Sequence, residues 1–148
     1  MKFIKNTFII LTILSLSLYA GCKGNDPTTE TTPLTEQLDL LLNGGSSWVV
    51  FSVIKDGYEV TNQFSGFTLF FDNTSYSTTN SIATAWASTG TWAFHNNNPE
   101  VIMRDDGTLI SVSLANNELV LSFSVTGLPT GGRTEGVDGD YVFTLVSQ

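Results

Sequence analysis

The chain has 148 residues, of which 14 are acidic and 6 are basic, and its formal net charge is −8. This length suffices for one domain with a real core and is too short for two. Phosphate backbones repel so acidic a chain, which argues against a nucleic-acid partner. The same charge gives the chain no electrostatic attraction to an anionic membrane surface.

The first 21 residues have the pattern of a secretory signal peptide. Lys2 and Lys5 place positive charge ahead of the apolar run Thr7–Leu18, and small residues come just before Cys22. The apolar run is about half the length that spans a bilayer. We therefore predict a signal peptide over residues 1–21 that is removed, and not a retained membrane helix.

Cys22 is the expected site of lipid attachment. It is the only cysteine of the chain, so an internal disulfide is excluded. The stretch Leu18-Tyr19-Ala20-Gly21-Cys22 resembles the lipobox of bacterial lipoproteins, in which the cysteine is lipidated and becomes the first mature residue. Acyl chains such as palmitate, more than one per cysteine, give the stable membrane attachment that a single chain does not.

A tether and one helix follow the cysteine. Residues 22–33 form the lipidated cysteine and a polar segment without a large apolar side chain, which cannot fold alone. Leu34–Asn43 is the helical candidate, because four of its leucines share one helix face. We expect Thr35 to be the N-cap and Gly44 to stop the helix. So short a helix must dock, and we expect it over the open end of a barrel near Trp48, with partner binding as the alternative.

From Trp48 onward, apolar runs alternate with turn signals at regular intervals. Asp56-Gly57, Asp106-Gly107 and Asn116-Asn117 are two-residue turn candidates. Apolar residues alternate with Ser or Thr inside the runs, which gives each strand one dry face and one wet face. The predicted strands are Trp48–Ile54, Gly66–Phe71, Ser75–Thr79, Thr91–His95, Val101–Arg104, Leu109–Ala115, Leu119–Val125 and Asp140–Val146.

Eight sequential strands predict an all-β domain over residues 34–148, an eight-stranded antiparallel up-and-down barrel preceded by one short helix. A β-sandwich is the alternative fold. A barrel of eight strands has room for its own side chains or for one small ligand. Many aromatic side chains are predicted to point inward, which favours a filled or narrow interior.

Seven apolar side chains are the candidate ligand contacts at the barrel interior or mouth. They are Trp48, Phe67, Leu69, Trp86, Trp92, Phe123 and Tyr141. Trp86 lies in the irregular segment Asn80–Ser88 and is predicted either to close a barrel mouth as a lid or to cap the core. A weaker option is carbohydrate binding, with Trp86 and Tyr76 as exposed stacking surfaces. The glycine-rich segment Thr126–Gly139 matches no phosphate-loop motif.

The sequence offers no catalytic or metal-binding pattern. His95 is the only histidine, so a histidine-rich metal site is excluded, and there is no reactive Cys–His pair. No Gly-x-Ser-x-Gly elbow is present for a serine nucleophile. We therefore expect that the protein is not an enzyme and uses no cofactor and no metal.

The order of motifs along the chain resembles the lipocalin-like domain lipoproteins of Bacteroidota, in the calycin or lipocalin-like β-barrel group. The motifs that carry the resemblance are Ala20-Gly21-Cys22, Gly44-Gly45-Ser46-Ser47-Trp48, Phe64-Ser65-Gly66-Phe67-Thr68-Leu69, Ser88-Thr89-Gly90-Thr91-Trp92, Arg104-Asp105-Asp106-Gly107, Gly131-Gly132-Arg133-Thr134 and Gly139-Asp140-Tyr141-Val142-Phe143. The resemblance implies a lipocalin-like barrel outside the cytoplasm, carriage of small apolar molecules and no catalysis. It also implies that an arginine late in the chain packs across Trp48; we expect Arg133 there, with Arg104 as the alternative.

These features together predict a lipid-anchored lipoprotein of the cell envelope, at the outer membrane and facing either the periplasm or the exterior. Its membrane contact is the lipidated Cys22, and its barrel binds a small hydrophobic ligand. The alternative is a structural or protein-interaction module of the envelope with a packed barrel and no ligand. A continuous apolar cavity would favour the first function. A filled interior with exposed apolar surface would favour the second.

Overall fold

A computed structural model describes residues 32–126 and 137–148. One α-helix, α1 (Pro33–Leu42), is followed in these residues by short 3-10 helices at Asn43–Gly45, Thr61–Phe64 and His95–Asn97. The strands are β1 (Trp48–Lys55), β2 (Tyr58–Glu59), β3 (Thr68–Phe71), β4 (Ser75–Thr79), β5 (Thr89–Phe94), β6 (Val101–Arg104), β7 (Leu109–Ala115), β8 (Glu118–Val125) and β9 (Gly139–Ser147). Across the described ranges, no helix has the length and apolar character to span a membrane.

Eight of these strands close into an antiparallel up-and-down barrel. The order is β1-β3-β4-β5-β6-β7-β8-β9, and β9 pairs back onto β1. The closing ladder runs from Trp48↔Ser147 to Lys55↔Tyr141, with a bulge between Val50 and Ser52. The predicted barrel is therefore confirmed, and the sandwich alternative is wrong.

The first hairpin differs from its prediction. The Asp56-Gly57 turn leads only to the two-residue β2, which folds back on the end of β1, and not to the next strand of the barrel. The Val53 N–H donates to Thr61 Oγ1 at 2.9 Å, so a side chain completes the edge of β1 where β3 does not reach. The following 3-10 helix buries Phe64 in the core, and the chain then enters β3. Burial of this ring explains why β1 and β3 are joined by a longer segment and not by a tight hairpin.

The N-cap of the helix lies three residues before the predicted Thr35, so that prediction is wrong, and the C-cap lies one residue before the predicted stop at Gly44. Thr32 is the N-cap, because its Oγ1 accepts the Thr35 N–H at 3.3 Å and Pro33 occupies the first helical turn, where no N–H is required. Asn43, not Gly44, is the C-cap, with a left-handed φ of 49°. A side-chain hydrogen bond thus sets the N-cap, whereas a left-handed backbone, with the Asn43 N–H donated to the Leu40 carbonyl, sets the C-cap.

The leucine face of α1 docks onto one end of the barrel, as predicted. Leu41 is fully buried, and Leu38 and Leu42 pack against the core. The Trp48 indole Nε1–H donates to the Leu41 carbonyl at 2.9 Å. One hydrogen bond thus joins the last turn of the helix to the first residue of β1, and we name this the helix end of the barrel.

Side chains fill the barrel interior. The predicted alternation holds on the longest strands, since Leu119, Leu121 and Phe123 of β8 and Phe143 and Leu145 of β9 are all buried. The largest fully buried side chains are Trp48, Trp86, Phe64, Phe67, Phe71, Phe143, Leu41, Leu69, Ile102, Ile110, Leu119 and Leu121. So many rings and leucines occupy the space that eight strands enclose, in agreement with the predicted filled interior.

Candidate functional site

Six rings meet inside the barrel at the end opposite α1, and we name them the aromatic cluster. Its members are Phe64, Phe67, Trp86, Phe123, Tyr141 and Phe143. Most pairs are edge-to-face, such as Phe64 and Phe143 with centroids 4.9 Å apart, whereas Phe123 and Tyr141 stack at 5.5 Å. These geometries add about 0.5–1.5 kcal/mol per pair to the burial itself.

Trp86 lies at the centre of this cluster and caps the core. Its side chain is 0 % exposed, and its ring contacts those of Phe67, Phe123 and Phe143 at 6.3, 5.2 and 6.0 Å. Trp86 and Tyr76, the latter 4 % exposed, contact each other at 5.9 Å. The idea that these two rings form an exposed carbohydrate-stacking surface is therefore wrong.

The Trp86 indole Nε1 is buried and has no hydrogen-bond partner within the described part of the chain. A buried donor without a partner costs about 1–3 kcal/mol. The contribution of this side chain to the fold therefore comes from its packing and not from hydrogen bonding.

Arg104 covers the outer side of Trp86. Its guanidinium carbon lies 4.8 Å from the Trp86 ring centroid and 5.6 Å from that of Phe123, and the residue is 4 % exposed. One Arg104 nitrogen donates to the Ala85 carbonyl at 3.1 Å, and another reaches the Asp106 carboxylate at 2.6 Å. The arginine therefore joins the turn after β6 to the loop that carries Trp86.

Two arginines are predicted to pack across Trp48, Arg133 and, as the alternative, Arg104. Arg133 lies outside the described residues. Arg104, the alternative, packs on Trp86 and not on Trp48, so that part of the prediction is wrong. The physical reason is topological: Trp48 lies at the helix end and Arg104 at the opposite mouth, where β6 ends.

Asp106 is held in its charged form by the same network. Burial alone would raise its pKa, but hydrogen bonds from Arg104 and Thr108 outweigh burial and lower the pKa from its ordinary value of 3.8. In Tyr76 and Tyr141, burial raises the pKa of the phenol, so both stay neutral at physiological pH.

We expect Asp106→Asn to remove a part of the acid sensitivity of folding. A lowered folded-state pKa means that Asp106 stabilises the fold at pH values above about 3.8 and loses this contribution as the pH falls through the lower folded value. Urea unfolding at pH 7 and at pH 3 should show a smaller difference for the variant than for the parent. An unchanged difference would contradict the role of this carboxylate.

Of the seven predicted ligand contacts, the structure brings four into the aromatic cluster: Phe67, Trp86, Phe123 and Tyr141. Trp48 and Leu69 are cross-strand partners near the helix end. Trp92 packs between Phe71 and Phe94, 5.3 Å from each, and its Nε1–H donates to the Asp72 and Ser75 carbonyls. All seven are buried, so they serve as core residues in the described structure.

Sequence reasoning missed two central members of the cluster and one contact. Phe143, whose alternation on β9 indicates an inward side chain, is not among the seven predicted contacts. Phe64 lies in a 3-10 helix that no pattern in the sequence predicts. The stacking of Arg104 on Trp86 joins positions 18 residues apart, and no periodicity in the sequence relates them.

An open groove of about 460 Å³ lies between α1 and the β6–β7 wall. It is lined by Gln37, Glu100, Val101, Ser111, Val112, Ser113 and Leu114. Both apolar and polar groups therefore face it, and unlike the barrel interior it is open to solvent.

The described residues contain no group of three or more His, Cys, Asp and Glu side chains that could hold a metal ion. His95 is partly exposed in a 3-10 helix, and its ring nitrogen contacts the Asn96 side-chain amide at 2.9 Å. Comparison with known proteins finds no matching family model, no matching curated protein and no matching solved structure. The conclusions that follow therefore depend on the residues and on the packed barrel.

Proposed function

We propose that this protein is a lipid-anchored lipoprotein of the cell envelope that acts through the outer surface of a packed barrel, as a structural or protein-interaction module. The observation that carries the proposal is the filled interior. Among the described residues, large interior side chains such as Trp86, Phe67 and Phe143 are fully buried. An internal carrier would hold a cavity on the scale of a few hundred Å³.

Exposed apolar side chains on the outside support an interaction role. Phe51, at the β1 bulge, is 67 % exposed, and Tyr58 on β2 is 77 % exposed. Met103 and Leu109 are cross-strand partners on β6 and β7, and both are exposed on the outer wall. Aromatic residues and methionine are enriched at protein interfaces.

Carriage of a small hydrophobic ligand is the second candidate, and one observation favours it. The buried Trp86 Nε1–H has no partner among the described residues. A ligand that offered an acceptor there would recover a hydrogen bond. Such a ligand would have to displace part of the aromatic cluster, and this cost favours the interaction role.

The envelope assignment rests on the signal-like N-terminus and on Cys22. Replacement of Cys22 by alanine should release the protein from the membrane fraction and block maturation at that residue. Cell fractionation with mass spectrometry of the N-terminal peptide measures both effects. A Cys22→Ala protein that stayed firmly membrane-bound and was processed as before would contradict the lipid anchor.

The absence of an internal ligand is tested separately. Native mass spectrometry of the detergent-purified protein should give the mass of the lipidated polypeptide without a further bound molecule. Its control is the same preparation denatured, in which any non-covalent guest is lost. Reproducible co-purification of one apolar molecule would overturn the interaction proposal in favour of the carrier.

A further inference from the structure

The wall of the barrel has an incomplete ladder at the helix end, between β6 and β7. Paired residues run from Met103↔Leu109 to Val101↔Ser111. One more backbone bond, from the Val112 N–H to the Glu100 carbonyl at 2.7 Å, continues the ladder, whereas β7 itself extends to Ala115. Strand β7 is therefore longer than its neighbour on this side.

The turn before β6 explains why the ladder stops. Pro99 has no backbone N–H and therefore cannot donate a hydrogen bond to the ladder. The Glu100 N–H donates to the Asn98 side-chain oxygen at 2.9 Å, and the Asn98 N–H donates to the His95 carbonyl at 2.9 Å. Both backbone donors thus bond to acceptors within the turn, so neither donates to β7.

Leu114 is left with its backbone facing the groove. In an antiparallel strand the N–H and C=O of one residue point to the same side, and the side alternates along the chain. The backbone N–H of Val112 points towards β6, so the backbone N–H and C=O of Leu114 point to the same side. The pairing of Leu114 with Leu119 of β8 is accordingly of the type without hydrogen bonds. Within the described residues, β6 begins at Val101, opposite Ser111, and therefore has no residue opposite Leu114.

This free edge forms one wall of the open groove of about 460 Å³, whose opposite wall includes Gln37 of α1. Val112 and Leu114 supply apolar surface, and the exposed Glu100 supplies a negative charge. The volume is within the usual range of ligand sites, about 300–1,000 Å³. The groove thus combines main-chain hydrogen-bonding groups, apolar contact and one carboxylate.

We propose that the groove between α1 and β7 binds an extended peptide segment of a partner protein, by strand addition at Leu114, with a basic side chain of the segment opposite Glu100. The N–H and C=O of Leu114, which lie on the same open side of β7, are matched by one residue of another polypeptide backbone in extended form. Charge complementarity selects the basic residue, because the chain as a whole is acidic. This proposal rests on the interaction role proposed above, and it names the surface and the class of partner.

The probe is a blocked seven-residue peptide of alternating valine and threonine with one central lysine, added to the ¹⁵N-labelled full chain in detergent. We expect saturable amide shifts at Leu114, Val112, Glu100 and Gln37, together with slower hydrogen exchange of the Leu114 amide. A peptide of the same sequence with N-methylated backbone on its pairing edge should bind at least tenfold more weakly. Equal binding of the two peptides would overturn strand addition.

Charge is tested by Glu100→Lys, with Glu59→Lys as the matched control. Both residues are exposed, and Glu59 lies on β2 at the other end of the barrel. We expect Glu100→Lys to weaken binding of the lysine peptide about fivefold, as for the loss of one exposed ion pair, and Glu59→Lys to leave it unchanged. Equal effects of the two variants would overturn the assigned position of the basic side chain.

The chain's own tether is a rival occupant of the groove, and a variant lacking residues 23–31 tests it. If this variant, without added peptide, shows altered amide shifts and faster exchange at Leu114, the tether fills the groove and the partner proposal is wrong. Unchanged shifts support a groove open to a partner. Cell fractionation and native mass spectrometry test the proposed envelope interaction role without reference to the groove. A negative result for peptide binding in the groove would therefore leave that role standing.

Discussion

Replacement of Trp86 by alanine is expected to lower the free energy of unfolding by about 3–5 kcal/mol, the usual cost of truncating a buried tryptophan. The ring is fully buried and contacts Phe67, Phe123 and Phe143, so its removal leaves a cavity inside a closed barrel that has little freedom to collapse. Arg104 also loses the surface on which it is stacked, and a desolvated cation–π contact is worth about 2 kcal/mol.

Trp86→Phe is the matched control for this prediction. Phenylalanine keeps an aromatic ring in the cluster and removes an N–H that has no partner in the described residues. We therefore expect its cost to be less than half that of Trp86→Ala. Urea unfolding followed by far-ultraviolet circular dichroism measures both. A fully stable Trp86→Ala protein would show that the aromatic cluster does not determine stability.

Replacement of Trp48 by alanine is expected to cost a similar amount, about 3–5 kcal/mol, at the other end of the barrel. Trp48 is 2 % exposed and lies under the last turn of α1. Its loss removes packing from the core and also the hydrogen bond that holds the helix to β1. A helix of ten residues is unstable without such contacts.

The phenylalanine variants of the two tryptophans should behave differently. Trp48→Phe leaves the Leu41 carbonyl without its donor in a buried position, which costs about 1–3 kcal/mol in addition to the smaller ring. Trp86→Phe breaks no hydrogen bond within the described structure. Trp48→Phe should also speed amide exchange in α1, measured by NMR. Equal costs for the two variants would contradict the anchoring role of the Trp48 indole.

Local patterns in the sequence account for the strands and the order in which they meet. Alternation in β7, β8 and β9 identified the buried side chains of those strands, and turn pairs such as Asn116-Asn117 marked where hairpins form, with both asparagines at positive φ. Such patterns report which face of a strand is dry, which is a property of neighbouring residues. They also predicted that α1 must dock, since it is too short to be stable alone.

The contacts that define the candidate sites depend on distance in space and not on distance in sequence. The sequence alone determined an acidic chain with a signal-like N-terminus, a single cysteine, a short helix and a sequential β-meander. Only the tertiary structure decided that Arg104 stacks on Trp86, that Phe64 enters the aromatic cluster and that β7 extends beyond the start of β6. Barrel closure produces the first two, because it brings loops from different strands to one mouth. The third follows from the turn at Asn98, whose local hydrogen bonds end the β6 ladder at the helix end.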